Sequence, residues 1–368
     1  MSVKASEIIN IIQDFAPLKY QESYDNSGLL LGDSNTEINR ALLTLDITEA
    51  VVEEAISAGC EMIIAHHPII FSGIKSLTGK NYVERVLLKA IKNNILLFAA
   101  HTNLDNMREG VNHQIAQRLN LLETKLLQPA NNTLRKLQTY VPHSCLEKVR
   151  NALFMAGGGA LGNYSECSFN SSGTGTFRPG SAAHPAIGTP GGDREYIEET
   201  KIELIYPIDK ESQIVAALLA NHEYETVAYD IISLENVHSE IGAGLIGDLE
   251  TAMSGHDFLQ FLKTRMKTEC IRHTELSGNL VQRVAVCGGA GSFLLNRAIA
   301  AKADVFVTAD YKYHQFFDAE GKILIADIGH FESEQFTPEL FQRIIAKKLP
   351  NFATLFSQTK TNPIKYFF

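Results

Sequence analysis

The chain has 368 residues, 45% of them hydrophobic and 20% charged, and a formal net charge of -9. Its length exceeds one ordinary core and calls for two domains or one domain carrying an insertion; its composition is that of a globular protein. The acidic balance argues against a sequence-independent nucleic-acid binder, which needs a basic stripe, but leaves room for a local basic pocket around a small phosphorylated ligand.

The N-terminal stretch "MSVKASEIINIIQDF" lacks the apolar core of a signal peptide, and no apolar run approaches the length of a bilayer span. Five cysteines, at 60, 145, 167, 270 and 287, form no C-x-x-C pair. They read as reduced thiols of a cytoplasmic protein. "DNSGLLLG" (25–32) reads as a turn, to which chemistry assigns no role. "ALLTLDIT" (41–48), "MIIAHH" (62–67) and "ILLFAAH" (95–101) are short apolar runs suited to strands buried on both faces of a parallel sheet. Helical spacing lies between and after them in "TEAVVEEAISAG", with Thr48 as N-cap and Gly59 as stop, in "NYVERVLLKAIKNN" and in "VNHQIAQRLN". This alternation predicts an α/β architecture.

The pattern breaks near residue 127. The stretch from Gly157 to Gly192 is rich in Gly, Ser and Thr and reads as long loops and hairpin tips. Around it, "LRKLQTYVP", "EETKIELIYPI" and "TVAYDIISL" read as strands, and "CLEKVRNALFMAG" and "SQIVAALLANH" as helices. In order they suggest a ferredoxin-like α+β insert over 128–235. The α/β style then returns in "RVAVCGG", "DVFVTAD" and "KILIADIGH", so that 1–127 and 236–368 are expected to form one interrupted α/β domain.

Ligands of open α/β sheets collect at the carboxyl ends of strands. One strand ends on His66-His67 and the next leads to His101 and Asp105. A late one leads to Asp327, His330, Glu332 and Glu334. Mixed N and O donors of this kind suit Zn, Mn, Fe or similar divalent ions. His330 and Glu334, four apart, share a face on a helical turn. His66 and His67 diverge before Pro68, so they can address two neighbouring ions bridged by Glu334, roughly 3.5–4 Å apart. Glu332 is expected to face solvent; Asp46 and Asp327 are turn residues or partners that orient histidines. His113, His143, His184, His238, His256 and His273 read as structural or exposed. The turn in "VCGGAGSFLLN" (286–296) could cradle a phosphate at a helix start or serve tight packing. His314, in "TADYKYHQFFDA", is a candidate general acid or base, with a helix-surface histidine as the alternative.

Taken together, "YDNSGLLLG", "AHHPIIFSG", "AAHTNLD", "VCGGAGS", "TADYKYH" and "DIGHFESE" resemble, in order, the Nif-three-like family, whose bacterial members are often labelled GTP cyclohydrolase I type 2 homologues. "HEYETVAYDI" (222–231) is similar to the PII/CutA-like insert of the family's longer members. The resemblance implies a discontinuous Nif-three-like α/β domain with an inserted ferredoxin-like domain. It implies two divalent ions per subunit (zinc first, iron or manganese as alternatives) on His66, His67, Asp105, His330 and Glu334, with Glu334 as bridge and catalytic group. It further implies a homohexamer, a trimer of dimers, and metal-activated water attacking a nucleotide or other phosphorylated small molecule. The competing expectation is a non-enzymatic metal-binding scaffold whose insert senses a ligand.

Overall fold

The computed structural model describes residues 2–276 and 278–367. The chain divides into two compact units: residues 1–129 with 239–368, and residues 130–238.

The larger unit contains two principal sheets. The first has five strands in the order Ala353–Phe356, Arg40–Thr44, Met62–Ala65, Leu96–Ala99, Gly28–Leu31; the first four run parallel and the last antiparallel. Its central strands lack polar alternation because both faces are covered. Leu43, Met62, Ile64, Leu96 and Phe98 meet Ile8, Ile12, Leu340 and Phe341 of helices Ala5–Phe15 and Thr337–Lys348 on one side. The alternate residues Leu42, Ile63, Ala65 and Leu97 meet Val51, Val52, Val86 and Leu87 of helices Glu49–Ser57 and Tyr82–Lys92 on the other. Thr48 caps the first of these helices, its Oγ1 accepting from the Val51 N–H at 3.3 Å. Gly59, at φ +64°, follows its end in the left-handed region.

The second sheet has six strands in the order Arg272–His273, Leu324–Asp327, Val305–Ala309, Leu280–Ala290, Gly242–Ser254, Leu122–Pro129. Only the neighbours among Leu324–Asp327, Val305–Ala309 and Leu280–Ala290 are parallel. Thus the α/β reading holds, but its strands belong to two sheets. Sequence reading also missed the pairing of Leu122–Pro129 with Gly242–Ser254. Its register shifts between Ile246 and Asp248, and the long strand shifts again before Met253, which breaks the period-two signal. "GLLL" (28–31), read as a turn, is an edge strand.

The smaller unit runs strand Leu134–Pro142, helix Leu146–Met155, strand Phe169–Phe177, strand Glu195–Pro207, helix Glu211–Asn221, strand Tyr229–Leu234. The sheet is antiparallel in the order fourth, first, third, second. Leu137, Val141, Ile202, Leu204 and Tyr206 pack on Val149, Leu153, Ile214 and Leu218. The second strand, "FNSSGTGTF", lies inside the stretch expected to be loops. It is an edge strand, largely exposed, so no apolar face imposed an alternation that sequence could reveal. Among the described residues no helix is long and apolar enough to cross a membrane.

Candidate metal centre

His66 and His67 directly follow strand Met62–Ala65, and both their N–H groups donate to the Leu45 carbonyl, at 3.2 and 3.0 Å. The shared acceptor turns the chain off the ladder, and the rings splay to 44° with centroids 4.9 Å apart. His101 precedes the short helix Thr102–Asp105, which carries Asp105. From the other sheet, strand Leu324–Asp327 leads through Gly329 (φ +91°) into the single turn His330–Glu334, which aligns His330 with Glu334. The three strand ends of the sequence reading therefore converge from two different sheets.

Glu334 is the hub. Its Oε2 lies 3.0 Å from His67 Nε2, 3.1 Å from His330 Nε2 and 3.8 Å from His66 Nε2. Asp105 Oδ1 lies 3.5 Å from His66 Nε2, and the Nε2 atoms of His67 and His330 are 3.2 Å apart. Three sets of donor atoms lie within 4.8 Å of one another: His67, His330, Glu334; His66, Asp105, Glu334; and His66, His67, His101. Two of the sets share Glu334.

Protonation follows from the outer partners. His67 Nδ1 faces Asp46 Oδ1 at 2.7 Å, His330 Nδ1 faces Asp310 Oδ2 at 2.7 Å, and His101 Nδ1 faces Asp25 Oδ1 at 2.8 Å. His66 Nδ1 faces the Ala100 carbonyl at 2.9 Å. Carboxylate and carbonyl oxygens only accept, so each Nδ1 carries the hydrogen, and each neutral ring turns its Nε2 lone pair inward. Lone pairs and carboxylate oxygens then converge with no donor between them. His66 Nε2 and Asp105 Oδ1 are buried without any hydrogen-bond partner. Burying such acceptors against one another is costly unless a cation stands among them. The donor set therefore fits a divalent metal of the zinc, iron or manganese kind.

In the metal-free chain, protons take the cation's place. Burial works against charging His67, but the Asp46 and Glu334 hydrogen bonds push it up to about 9. Against the same burial, the Glu334 charge and the Asp310 hydrogen bond push His330 up to about 11. Burial, and next the Glu334 charge, push Asp105 up to about 7. Glu334 itself, despite burial, is held well below the carboxylate range by the His330 charge and by hydrogen bonds from His330 and His67. Two carboxylates so close cannot both ionise freely, and Glu334 is the one that stays charged.

Several expectations change. Asp46 orients His67, as one of its two readings had it, and its Oδ2 accepts from Thr361. Asp327 orients no imidazole; it anchors its turn, accepting from Tyr311 N at 2.9 Å, Gly329 N at 3.1 Å and the Arg272 guanidinium. Glu332, expected at the surface, is buried and accepts from Asn362 Nδ2 at 3.0 Å. In the turn at 288–291 the amides of Gly288 and Gly289 already donate to Asn112 Oδ1 and Ser333 Oγ, both at 2.9 Å, so neither is left to cradle a phosphate. His314 stands exposed, edge-on to Tyr313 at 5.2 Å, and belongs to none of the three donor sets. Sequence reading placed His101 at a strand end but left it out of the five-residue ligand set, and it passed over Asp25 and Asp310 as orienting groups. Only "YDNSG" and "TADYKYH", singled out without a role for these residues, carried a signal.

The centre opens into a cleft of about 600 Å³ bordered by His67, His101 and His330. A family model described as Duf34/NIF3 (NGG1p interacting factor 3) matches residues 3–363. The chain belongs to the NIF3 family. The GTP cyclohydrolase 1 type 2 homolog of Bacillus subtilis is 37% identical over 375 residues, covering 99% of each chain; that of Halalkalibacterium halodurans is 37% identical over 365 residues, covering 98% of each. Among solved NIF3 structures, the Bacillus cereus protein related to NIF3 is 35% identical, covers 99% of each chain and superposes with a TM-score of 0.84. Staphylococcus aureus protein SA1388 is 28% identical, with the same coverage and a TM-score of 0.78.

Proposed function

We propose that this chain is a dinuclear metal-dependent hydrolase acting through metal-activated water, with a nucleotide or a related phosphorylated small molecule as the substrate class suggested by its relatives' name. The observation that carries the reading is the Glu334 carboxylate, common to two donor sets and flanked by the buried His66 Nε2 and an Asp105 oxygen, neither of which has a hydrogen-bond partner. His66, His67, Asp105, His330 and the shared Glu334 would hold two divalent ions, zinc before iron or manganese. Bound there, such ions supply Lewis acidity and a water acidified toward neutrality. Asp46, Asp310 and Asp25 keep the imidazoles in one tautomer and one orientation. His314 is assigned proton transfer at the exposed side, so His314→Gln should lower turnover while leaving bound metal unchanged. We further read it as a cytoplasmic homohexamer, a trimer of dimers, on the family resemblance alone.

The test joins metal content to chemistry. Glu334→Ala should lose both bound metal and turnover while its circular dichroism and assembly size persist. Metal-loaded wild type that turns over nothing in a broad nucleotide and phosphoester panel would sink the hydrolase.

One observation favours a second reading, a metal-binding scaffold with a sensing insert. The strand order of the smaller unit is that of a ferredoxin-like domain, which we take to be PII/CutA-like. It has its own cleft of about 500 Å³ against Tyr140, Phe177 and Tyr224. Metabolite binding that shifts assembly without turnover would favour this reading.

A further inference from the structure

The cleft that opens from the donor cluster has walls that speak to what enters it. Ile69, Phe71, Tyr82, Phe331, Pro363 and Ile364 provide its apolar surface, and none of its lining residues is Lys or Arg. Phe71, Tyr82 and Ile364 are 55, 59 and 52% exposed, and all three line this one cleft. Phe71 stands edge-on to His101, ring centroids 5.8 Å apart at 86°, so an aromatic face adjoins the donor atoms directly.

The charge balance points the same way. Glu334, Asp105, Asp46, Asp310 and Asp25 surround the centre, five carboxylates against two dications. The loaded centre has no surplus positive charge for a polyanion, and every imidazole there already has an oxygen partner on Nδ1. The glycine turn beside the centre adds none, since the amides of Gly288 and Gly289 are taken within the protein. Recognition of phosphate normally draws on Arg, Lys or a free amide nest.

We infer that this cleft selects an uncharged, planar heteroaromatic ring, held between the Phe71 and Tyr82 side chains with a ring heteroatom toward the metal centre, and that it gives a phosphate no recognition. The inference rests on the proposed metal-dependent reading of the same site and narrows its substrate class. Offset or edge-on packing of a flat ring on Phe and Tyr is the favoured geometry for such a surface. A nucleotide is accepted through its base, with its phosphates left in solvent.

The test is calorimetric titration of the intact, metal-loaded protein with guanosine, adenosine and pterin, and with GTP and ATP. At least one ring compound should bind, and each nucleoside should match its triphosphate within about threefold. Phe71→Ala and Tyr82→Ala should weaken that ring at least about fivefold while bound metal stays constant. A triphosphate that binds more than tenfold tighter than its nucleoside overturns the inference, as does the absence of binding by all three ring compounds to fully loaded protein. Turnover, measured separately, keeps the two ideas apart. Rings that bind without being hydrolysed count against the hydrolase and leave the cleft assignment standing. Hydrolysis of a non-aromatic phosphoester supports the hydrolase and overturns the cleft assignment.

Discussion

The described residues of the insert bury Thr133, Thr139, Thr200 and His222 as polar side chains, none of them a carboxylate, and the larger unit buries the carboxylates of Glu84, Asp327, Glu332 and Glu334. In the insert, Thr139 Oγ1 donates to the Ala228 carbonyl and His222 Nε2 meets the Tyr140 carbonyl, both at 3.0 Å. The larger unit itself holds the sharper contrast. Glu84 is filled by donors, from the Thr78 N–H and hydroxyl, the Lys80 N–H and Asn81 Nδ2, and that saturation holds it down to about 2. Glu334 is faced instead by ring nitrogens that, in their neutral form, are acceptors like itself. A buried carboxylate is thus no sign of chemistry on its own; one whose neighbours also lack donors is.

The strongest way to break this contrast is to remove the hub. Glu334→Ala should lower metal affinity by more than the 10–100-fold typical of losing an orienting partner; isothermal titration checks it, and retention of two tight sites would refute the bridging role. Asp46→Ala should fall within that range, about 10–100-fold, because His67 keeps its place but not its tautomer. Wild-type affinity in this variant would show that His67 is held by packing alone.

Proton competition should come next in size. His67 is raised in the metal-free fold to about 9, above an unfolded value near ~6.5. Its contribution is therefore full below that unfolded value and is lost as pH climbs through about 9. Melts of chelated protein should decline across that window. Added metal should flatten the decline, with protons released on binding and apparent affinity rising with pH. A chelated protein that gains stability over the same range would contradict the protonated cluster. The smallest effect is expected from the insert. Pro129 and Gly242 are paired antiparallel, so a short turn can replace 130–238. Metal stoichiometry and affinity should then stay within a few-fold, and their loss would tie the centre to the insert.

What sequence made legible follows the same physics. The buried strands announced themselves because both faces demand apolar residues, and the candidate ligand histidines stood where those runs stop. The orienting partners did not: Asp25 lies 76 residues before His101, and Asp310, at φ +57°, lies 20 before His330. Such pairs exist only once the chain has folded. Glu332 misled because a charged residue next to a ligand reads as surface, whereas Asn362 near the chain's end meets it in the interior. The strand Phe169–Phe177 stayed hidden because it carries little apolar side-chain pattern.

Gly289 has a consequence for anyone comparing or redesigning such chains. A Cβ there would sit 2.5 Å from Glu334 Oε1 and 3.3 Å from His330 Cε1, and its φ of +59° is one that side-chain-bearing residues rarely adopt. The Glu334 carboxylate, shared by two of the donor sets, occupies the volume a single methyl group would fill. An alanine at 289 would therefore act as a built-in inhibitor, leaving every ligand residue in the sequence while denying them their common point. A ligand motif that is intact on paper can be read as a working centre only when this hydrogen-sized residue accompanies it.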